Sequence, residues 1–101
     1  KAALEDACLY AARDLGPKGI RVNALSPGAM KTLSLAGISG GRAMLAKGRG
    51  LSAMQQDTAM EGVAGAARWL LSDLGRSTTG ELVHVDAGFH IMGFTEDEAE
   101  S

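Results

Sequence analysis

The sequence lacks a second cysteine, a cluster of basic residues and a long apolar run, and each absence excludes a class of protein. The lone Cys8 cannot form an internal disulfide, which excludes a small domain held together by disulfide bonds. Lys and Arg number 10 against 12 Asp and Glu, so we expect neither a nucleic acid nor an anionic membrane as a partner. No apolar run is long enough to cross a bilayer, so no membrane span is expected.

Size and composition are typical of one soluble domain at most. The chain has 101 residues, of which 46% are hydrophobic and 22% are charged. Cys8 falls on an apolar helical face, which is typical of a buried thiol in a reducing compartment, so we expect a cytoplasmic protein. Lys1 already stands in a helical pattern without a cap before it, so we expect the chain to be a fragment.

Apolar residues near the start of the chain recur with the spacing of one helical face. These residues are Leu4, Ala7, Cys8, Ala11 and Leu15. Their spacing predicts a helix from Lys1 to about Leu15. Gly16 and Pro17 end this helix, because proline has no N–H to donate and glycine tolerates a left-handed turn. The residues from Ile20 to Leu25 then predict a strand. Because a helix comes directly before it, we expect a βαβ crossover and therefore a buried, parallel strand.

A proline-glycine break follows this strand directly. Pro27 and Gly28 end the strand, and the hydroxyl of Thr32 lies just beyond them. In an open α/β sheet, ligands bind outside the carboxyl ends of the strands, where such a hydroxyl can bond a phosphate or a ribose. This break therefore predicts a cofactor site. A loop threonine is also typical of a helix cap, and that reading stays open for Thr32.

The second half of the chain contains a glycine-rich segment, a helix and a strand. From about residue 32 to 51 the helical pattern is confined to pieces such as Arg42 to Lys47, which predicts a mobile binding loop. The residues from Thr58 to Glu61 fit a capping box at the start of a second helix. This helix ends near Asp73 and is predicted from an apolar stripe that comprises Met60, Val63, Ala64, Ala67, Leu70 and Leu71. The residues from Leu82 to Val85 predict a short strand.

The order of these elements predicts the fold class. Helix, strand, loop, helix and strand in succession are typical of an α/β protein, here the second half of a doubly wound parallel sheet. The G-x-G-x-x-G fingerprint, which marks the first strand of a dinucleotide-binding fold, does not occur in the sequence. Any such glycine loop would therefore lie upstream of this chain.

Several residues with reactive side chains are assigned structural roles. His84 lies between valines and is expected to be a packed residue. On the sequence argument, neither His84 nor His90 has a second His, Cys or carboxylate at the spacing of metal ligands, so no metal site is expected. Asp86 ends the second strand and is expected to cap a turn. Tyr10 and Lys1 are separated on a helix by about 900° of rotation and about 13.5 Å of rise, so they cannot share a substrate.

Two motifs resemble the short-chain dehydrogenase/reductase superfamily. They are Arg-Val-Asn-Ala-Leu-Ser-Pro-Gly at 21–28 and Thr-Gly-Glu-Leu-Val-His-Val-Asp-Ala-Gly at 79–88. Within that superfamily the chain is similar to the bacterial NADH-dependent enoyl-acyl-carrier-protein reductases, on the residues at 1–5, 30–38 and 81–89. The resemblance covers nearly the whole chain. It implies that residues 1–101 are the C-terminal part of a single dinucleotide-binding domain of the Rossmann type.

The resemblance also implies roles for individual residues. Lys1 matches the lysine that bonds the nicotinamide ribose of NAD and helps to stabilise negative charge on the substrate oxygen. Gly28 falls in the cofactor-binding turn, the backbone of Met30 would meet the nicotinamide carboxamide, and Thr32 would bond the pyrophosphate. The residues from Leu33 to Ile38 match a substrate-binding loop that lines the acyl pocket.

The activity implied by this resemblance is hydride transfer from NADH to the β-carbon of a trans-2-enoyl thioester, carried on acyl-carrier protein. Protonation of the α-carbon completes the last step of a fatty-acid elongation cycle, and relatives assemble as homotetramers. A β-ketoacyl reductase, or another alcohol-forming member of the superfamily, is an alternative. The two classes differ in the spacing between a catalytic tyrosine and the lysine, and that tyrosine would precede Lys1.

A further alternative comes from a different class of function. The 101 residues could be a non-catalytic fragment that serves only as an oligomerisation module. Without the first half of the sheet, strand edges and apolar helix faces would be uncovered. We therefore expect no reductase activity from these residues by themselves.

Overall fold

The computed structural model of this protein describes residues 2–30 and 40–92. Its main elements in these ranges are α1 (Ala2–Leu15), β1 (Ala24–Pro27), α2 (Gly41–Leu51), α3 (Met60–Leu71) and β2 (Leu82–Val85). They confirm the predicted α/β class. The described residues form two compact units, one of residues 2–26 and 60–85, the other of 27–30, 40–59 and 86–92. No helix in the described part of the chain is both long and apolar enough to span a bilayer.

The two strands of the first unit pair in parallel. The N–H of Gly80 donates to the carbonyl of Val22 at 2.7 Å, and the N–H of Ala24 donates to the carbonyl of Glu81 at 2.8 Å. The bonded residues advance in the same direction along both segments, which is the pattern of a parallel ladder. The parallel sheet predicted from the order of elements is confirmed.

β1 begins later than the sequence pattern predicts. The pattern places a strand at Ile20 to Leu25, whereas the strand runs from Ala24 to Pro27. The opposing segment explains the shift, because Gly80 has a φ of 73° and interrupts a regular ladder at this point. The N–H of Val22 bonds instead to the side-chain hydroxyl of Thr79, at 3.1 Å.

α1 packs through a narrow face. Cys8 and Ala12, four residues apart on the helix, are each only 7% exposed. The thiol of Cys8 donates to the carbonyl of Val22 at 3.5 Å, which joins the helix to the segment before β1. The predicted apolar face is wrong at its first two members, since Leu4 is 61% exposed and Ala7 is exposed as well.

α3 covers β2 and ends at Leu71, two residues before the predicted end near Asp73. Leu70 is buried, and a Cβ at Gly62 would lie 3.6 Å from Cγ1 of Val85, so helix and strand pack closely. Three members of the stripe, Met60, Ala64 and Leu71, are exposed, so the pattern was wrong for them. β2 occupies the predicted residues 82–85.

The second unit contains α2 and the turns that follow the two strands. α2 extends over Gly41–Leu51, beyond the predicted helical piece at Arg42 to Lys47. Gly50 lies inside it, although glycine disfavours a helix interior by about 1 kcal/mol relative to alanine. Its last turn is joined to the following segment by an ion pair between Arg49 and Asp57, with Nε and Oδ1 3.1 Å apart. The first part of the predicted mobile loop, residues 32–39, lies outside the described residues.

Candidate functional site

The turn that leaves β1 passes very close to two other segments of the second unit. A Cβ added at Gly28 would collide with Oγ1 of Thr58 and would lie 2.9 Å from both Cα and Cβ of Asp86. Real Cβ atoms do not approach other atoms so closely, so glycine alone fits here. Gly28, which the resemblance places in the cofactor-binding turn, therefore has a packing role within the protein itself.

The backbone of the same turn is bonded to the segment before α3. The N–H of Thr58 donates to the carbonyl of Ala29 at 3.2 Å. Ala29 is exposed and Met30 is half-buried, and residues 27–30 carry no charged side chain. Small neutral residues allow a ligand to approach the backbone, whose N–H and C=O groups are suitable partners for a neutral amide. This turn therefore fits the carboxamide end of a nicotinamide.

Asp86 caps the turn that follows β2, as its position at the end of the strand predicts. Its Oδ1 accepts the N–H of Gly88 at 3.0 Å, and its Oδ2 accepts the N–H of His90 at 3.2 Å. Nδ1 of His90 lies 3.0 and 3.1 Å from the two carboxylate oxygens. The side chain of Asp86 is 8% exposed, so a buried carboxylate organises this turn.

The surroundings of Asp86 favour its charged form. Burial raises the pKa of Asp86, but the hydrogen bond and charge of His90 oppose it, together with the N–H groups of Gly88 and His90. The net result is a pKa below the ordinary value for aspartate. Asp86 is therefore ionised at neutral pH and does not serve as a proton donor there. The sequence argument that His90 has no carboxylate at ligand spacing was wrong, because Asp86 stands four residues before it.

Ser52 is a structural residue that the sequence reasoning missed. It is 3% exposed, and its hydroxyl oxygen accepts the N–H of Gln56 at 3.2 Å. The carbonyl of Arg49 lies 3.2 Å away as an acceptor for its proton. Ser52 thus closes the loop between α2 and the residues that lead to Thr58. A single serine between helices is common in loops of every kind, so the sequence carried no signal for this role.

The same loop also contacts the turn after β2. The N–H of Met54 donates to the carbonyl of Ala87 at 2.9 Å. A Cβ at Gly88 would lie 2.6 Å from the Cβ of Ala53, so the two segments are in close contact. The loop of residues 52–58 therefore joins the turn after β1 to the turn after β2.

Most of the predicted site residues lie outside the described part of the chain. They are Lys1, Thr32, Leu33 and Ile38, and their roles stay predictions. Gly28 and Met30 are described, and both lie in the turn after β1.

The first unit contains an open groove of about 510 Å³. Its lining is mostly apolar and consists of Gly19, Arg21, Val22, Asn23, Leu25, Ala67, Leu70 and Leu71. The guanidinium of Arg21 is directed to the carbonyls of Thr78 and Ser72, at 3.4 and 3.5 Å. Arg21 therefore links segments of the chain, and we assign no chemistry to the groove.

Comparison with known protein families and curated proteins gives consistent results. A family model described as enoyl-(acyl carrier protein) reductase matches residues 1–90. The enoyl-[acyl-carrier-protein] reductase [NADH] 2 of Rhizobium meliloti is 46% identical over 99 residues, which are 98% of this chain and 37% of the relative. The NADH-dependent enoyl-[acyl-carrier-protein] reductase of Escherichia coli is 42% identical over 98 residues, 97% of this chain and 37% of the relative. The chain thus spans about 37% of the length of these curated relatives.

Solved structures show the same likeness. The reductase of Anaplasma phagocytophilum in complex with NAD superposes with a TM-score of 0.84 and 49% identity, over 95% of this chain and 37% of the other. The reductase of Bacillus cereus with NADP+ and indole naphthyridinone superposes with a TM-score of 0.83 and 44% identity, over 93% of this chain and 37% of the other. Identity at this level extends the likeness beyond the fold. Since the family model and the relatives each match most of its length, this chain belongs to the enoyl-[acyl-carrier-protein] reductase family.

Proposed function

We propose that this chain is the part of an NADH-dependent enoyl-[acyl-carrier-protein] reductase that holds the nicotinamide and the acyl chain. The observation that carries the proposal is family membership over residues 1–90. The turn after β1 supports it, because Gly28, Ala29 and Met30 follow the carboxyl end of a parallel strand, where ligands of such sheets bind. The chain spans 37% of its relative, so the complete cofactor site draws on further residues of the enzyme.

Individual residues have distinct tasks in this proposal. NADH, when bound, supplies the hydride for the β-carbon of the enoyl thioester. The backbone of Met30 holds the nicotinamide carboxamide, and the hydroxyl of Thr32 bonds the pyrophosphate. Lys1 bonds the nicotinamide ribose and places its ammonium group where negative charge develops on the thioester oxygen. Apolar side chains from Leu33 to Ile38 surround the acyl chain and exclude water.

The proposal includes a homotetramer in the cytoplasm, acting on substrates carried by acyl-carrier protein. Exposed apolar side chains support the assembly, since Leu71 at the end of α3 and Leu74 in the turn after it are 85% and 80% exposed. Apolar surface of this kind is commonly covered by another chain or by the remainder of the same protein. The buried free thiol of Cys8 supports a reducing compartment.

Substrate discrimination tests the proposed reaction. The experiment uses a chimera in which this chain replaces the matching segment of the Rhizobium meliloti reductase. We expect the chimera to oxidise NADH in the presence of a trans-2-enoyl thioester and to be inactive with a β-ketoacyl thioester. A folded chimera that does not oxidise NADH with the trans-2-enoyl thioester would contradict the proposed reaction.

Substitution of Lys1 tests its assigned role in the same chimera. Removing a group that stabilises transition-state charge costs about 10² to 10³ in kcat, so Lys1→Ala should lose activity on that scale. Lys1→Arg is the matched control, because it retains the positive charge and should retain more activity. Equal activity of Lys1→Ala and the unsubstituted chimera would contradict the role of Lys1.

A further inference from the structure

One further residue contacts the turn that the proposed function assigns to the nicotinamide. Thr58 lies in the loop before α3 and is 7% exposed, which is unusual for a polar loop residue. Its N–H bonds the carbonyl of Ala29, and its Oγ1 stands where a side chain of residue 28 would begin. Thr58 therefore contacts two consecutive residues of the turn, directly before Met30.

The demand for glycine at position 28 is spatial. Its φ is not in the left-handed region that Gly19, Gly80 and Gly88 occupy, so backbone freedom does not explain it. The space for a side chain is filled by Thr58 and by Cα and Cβ of Asp86. The turn is therefore packed between two fixed neighbours, and Asp86 is itself held by its bonds to the turn after β2.

We propose that Thr58 is a positioning residue for the nicotinamide end of the cofactor. Its hydroxyl limits the movement of Gly28, and its N–H orients the carbonyl of Ala29. Together these contacts fix the direction of the peptide between Ala29 and Met30, which carries the N–H of Met30. This inference rests on the proposed function, because Met30 matters only if a nicotinamide binds there.

The first test compares binding of the two substrates in the chimera. Thr58→Ala removes the hydroxyl, and Thr58→Ser keeps it. Because an ordered turn binds more tightly than a mobile one, we expect Thr58→Ala to raise KM for NADH about tenfold, with a smaller effect on KM for the enoyl thioester. Thr58→Ser should restore the unsubstituted value.

Thr79→Ala is the matched structural control. Thr79 is a second threonine whose hydroxyl accepts a backbone N–H, that of Val22, but it belongs to the first unit, whereas the turn belongs to the second. We expect its replacement to lower the unfolding midpoint and to leave KM for NADH within about twofold. An equal rise in KM for NADH in both alanine variants would reduce Thr58 to a general stabilising role and overturn the inference.

A double-mutant cycle tests the contact itself. Gly28→Ala alone should weaken NADH binding, measured as the Kd by fluorescence titration, because the new Cβ displaces Thr58 and Asp86. In the double variant with Thr58→Ala one of these two obstacles is absent. We therefore expect the combined effect on the Kd to be smaller than the product of the single effects. Strictly multiplicative effects would contradict a coupling between the two residues.

Hydrogen exchange provides a readout without cofactor. The amide of residue 58 should exchange about tenfold faster in Gly28→Ala than in the unsubstituted chimera, because its bond to Ala29 is disturbed. If this amide exchanges at an unchanged rate in Gly28→Ala while the unsubstituted chimera binds NADH, the positioning role of Thr58 is overturned and the proposed function stands. Failure of the unsubstituted chimera to bind NADH contradicts the proposed function itself, and the inference falls with it.

Discussion

At the residue scale, the turn after β2 contains two adjacent residues in the left-handed region. Ala87 has a φ of 57° and Gly88 a φ of 82°. Residues other than glycine are disfavoured there by roughly 1–2 kcal/mol. We predict that Ala87→Gly raises the free energy of unfolding by about 0.5–1 kcal/mol, because it relieves this strain.

Gly88→Ala is the matched substitution with the opposite expected sign. It adds a Cβ to a left-handed residue, and that Cβ would lie 2.6 Å from the Cβ of Ala53. We predict that Gly88→Ala lowers the free energy of unfolding by about 2 kcal/mol or more, measured by urea denaturation under the same conditions as Ala87→Gly. A change of the same sign in both variants would show that the backbone geometry described here is not the one that limits stability.

The Asp86 carboxylate makes a second residue-scale prediction, on pH. Its pKa is lower in the folded protein than its ordinary value, so its stabilisation is complete above the unfolded pKa of about 3.9 and is lost as the pH falls through the folded pKa. We expect the free energy of unfolding to decline with acid below about pH 4. Asp86→Asn should flatten that decline and lower stability near neutral pH.

His90→Gln serves as the control for this pH dependence. Glutamine offers a hydrogen-bonding side chain without the positive charge that His90 carries when protonated. The variant should keep part of the stability near neutral pH and show a weaker decline with acid than the unsubstituted protein. An acid profile unchanged by both variants would show that other carboxyl groups control it.

The sequence predicted some of these residue roles and missed others for a physical reason. Asp86 was expected to cap a turn because the signal is local, with its partners at Gly88 and His90. The crowding of Gly28 depends on Thr58 and Asp86, which are distant along the chain. No pattern within a short window records such a contact, so the sequence argument placed Thr58 only in a capping box and gave Ser52 no role.

At the element scale, Asn23 joins the two parallel segments of the first unit. Its Nδ2 donates to the carbonyl of Thr78 at 3.1 Å, and its Oδ1 accepts the N–H of Glu81 at 3.0 Å. We predict that Asn23→Leu lowers the free energy of unfolding by about 2 kcal/mol, since the N–H of Glu81 loses its acceptor and the carbonyl of Thr78 keeps only its longer bond from Arg21. Asn23→Asp retains the acceptor oxygen. Its free energy of unfolding, measured with denaturant, should therefore lie between those of Asn23→Leu and the unsubstituted protein. Equal stability of all three proteins would contradict a bridging role.

The bounds of helices and strands agree with the sequence-based prediction where the local residue pattern determines them. They differ from it where contacts between distant residues determine them. β2 has its predicted bounds because a run of β-formers specifies it, and the apolar stripe predicts the end of α3 to within two residues. β1 shifted because Thr79 and Gly80, far along the chain, decide where its ladder begins. α2 exceeds its predicted length although it contains Gly50, and the Arg49–Asp57 pair and Ser52 lie at its last turn.

At the scale of the whole molecule, much apolar surface is uncovered. On α1, Leu9 and Tyr10 are 56% and 62% exposed, and Leu71 at the end of α3 is 85% exposed. Side chains of this type are usually buried in a complete domain or assembly. We predict that the 101-residue chain alone associates as its concentration rises, measured by light scattering. The chimera with the remainder of the Rhizobium meliloti enzyme should form one defined species, and a monodisperse monomer of the isolated chain would contradict this prediction.

The central claim is that this chain carries the nicotinamide and acyl side of an enoyl-[acyl-carrier-protein] reductase and needs the remainder of the enzyme to act. The most direct test measures NADH oxidation with a trans-2-enoyl thioester, side by side, for the isolated chain and for the chimera. The account predicts thioester-dependent oxidation by the chimera and none by the isolated chain. Activity of the isolated chain would contradict the need for a partner segment, and an inactive but folded chimera would contradict the proposed function.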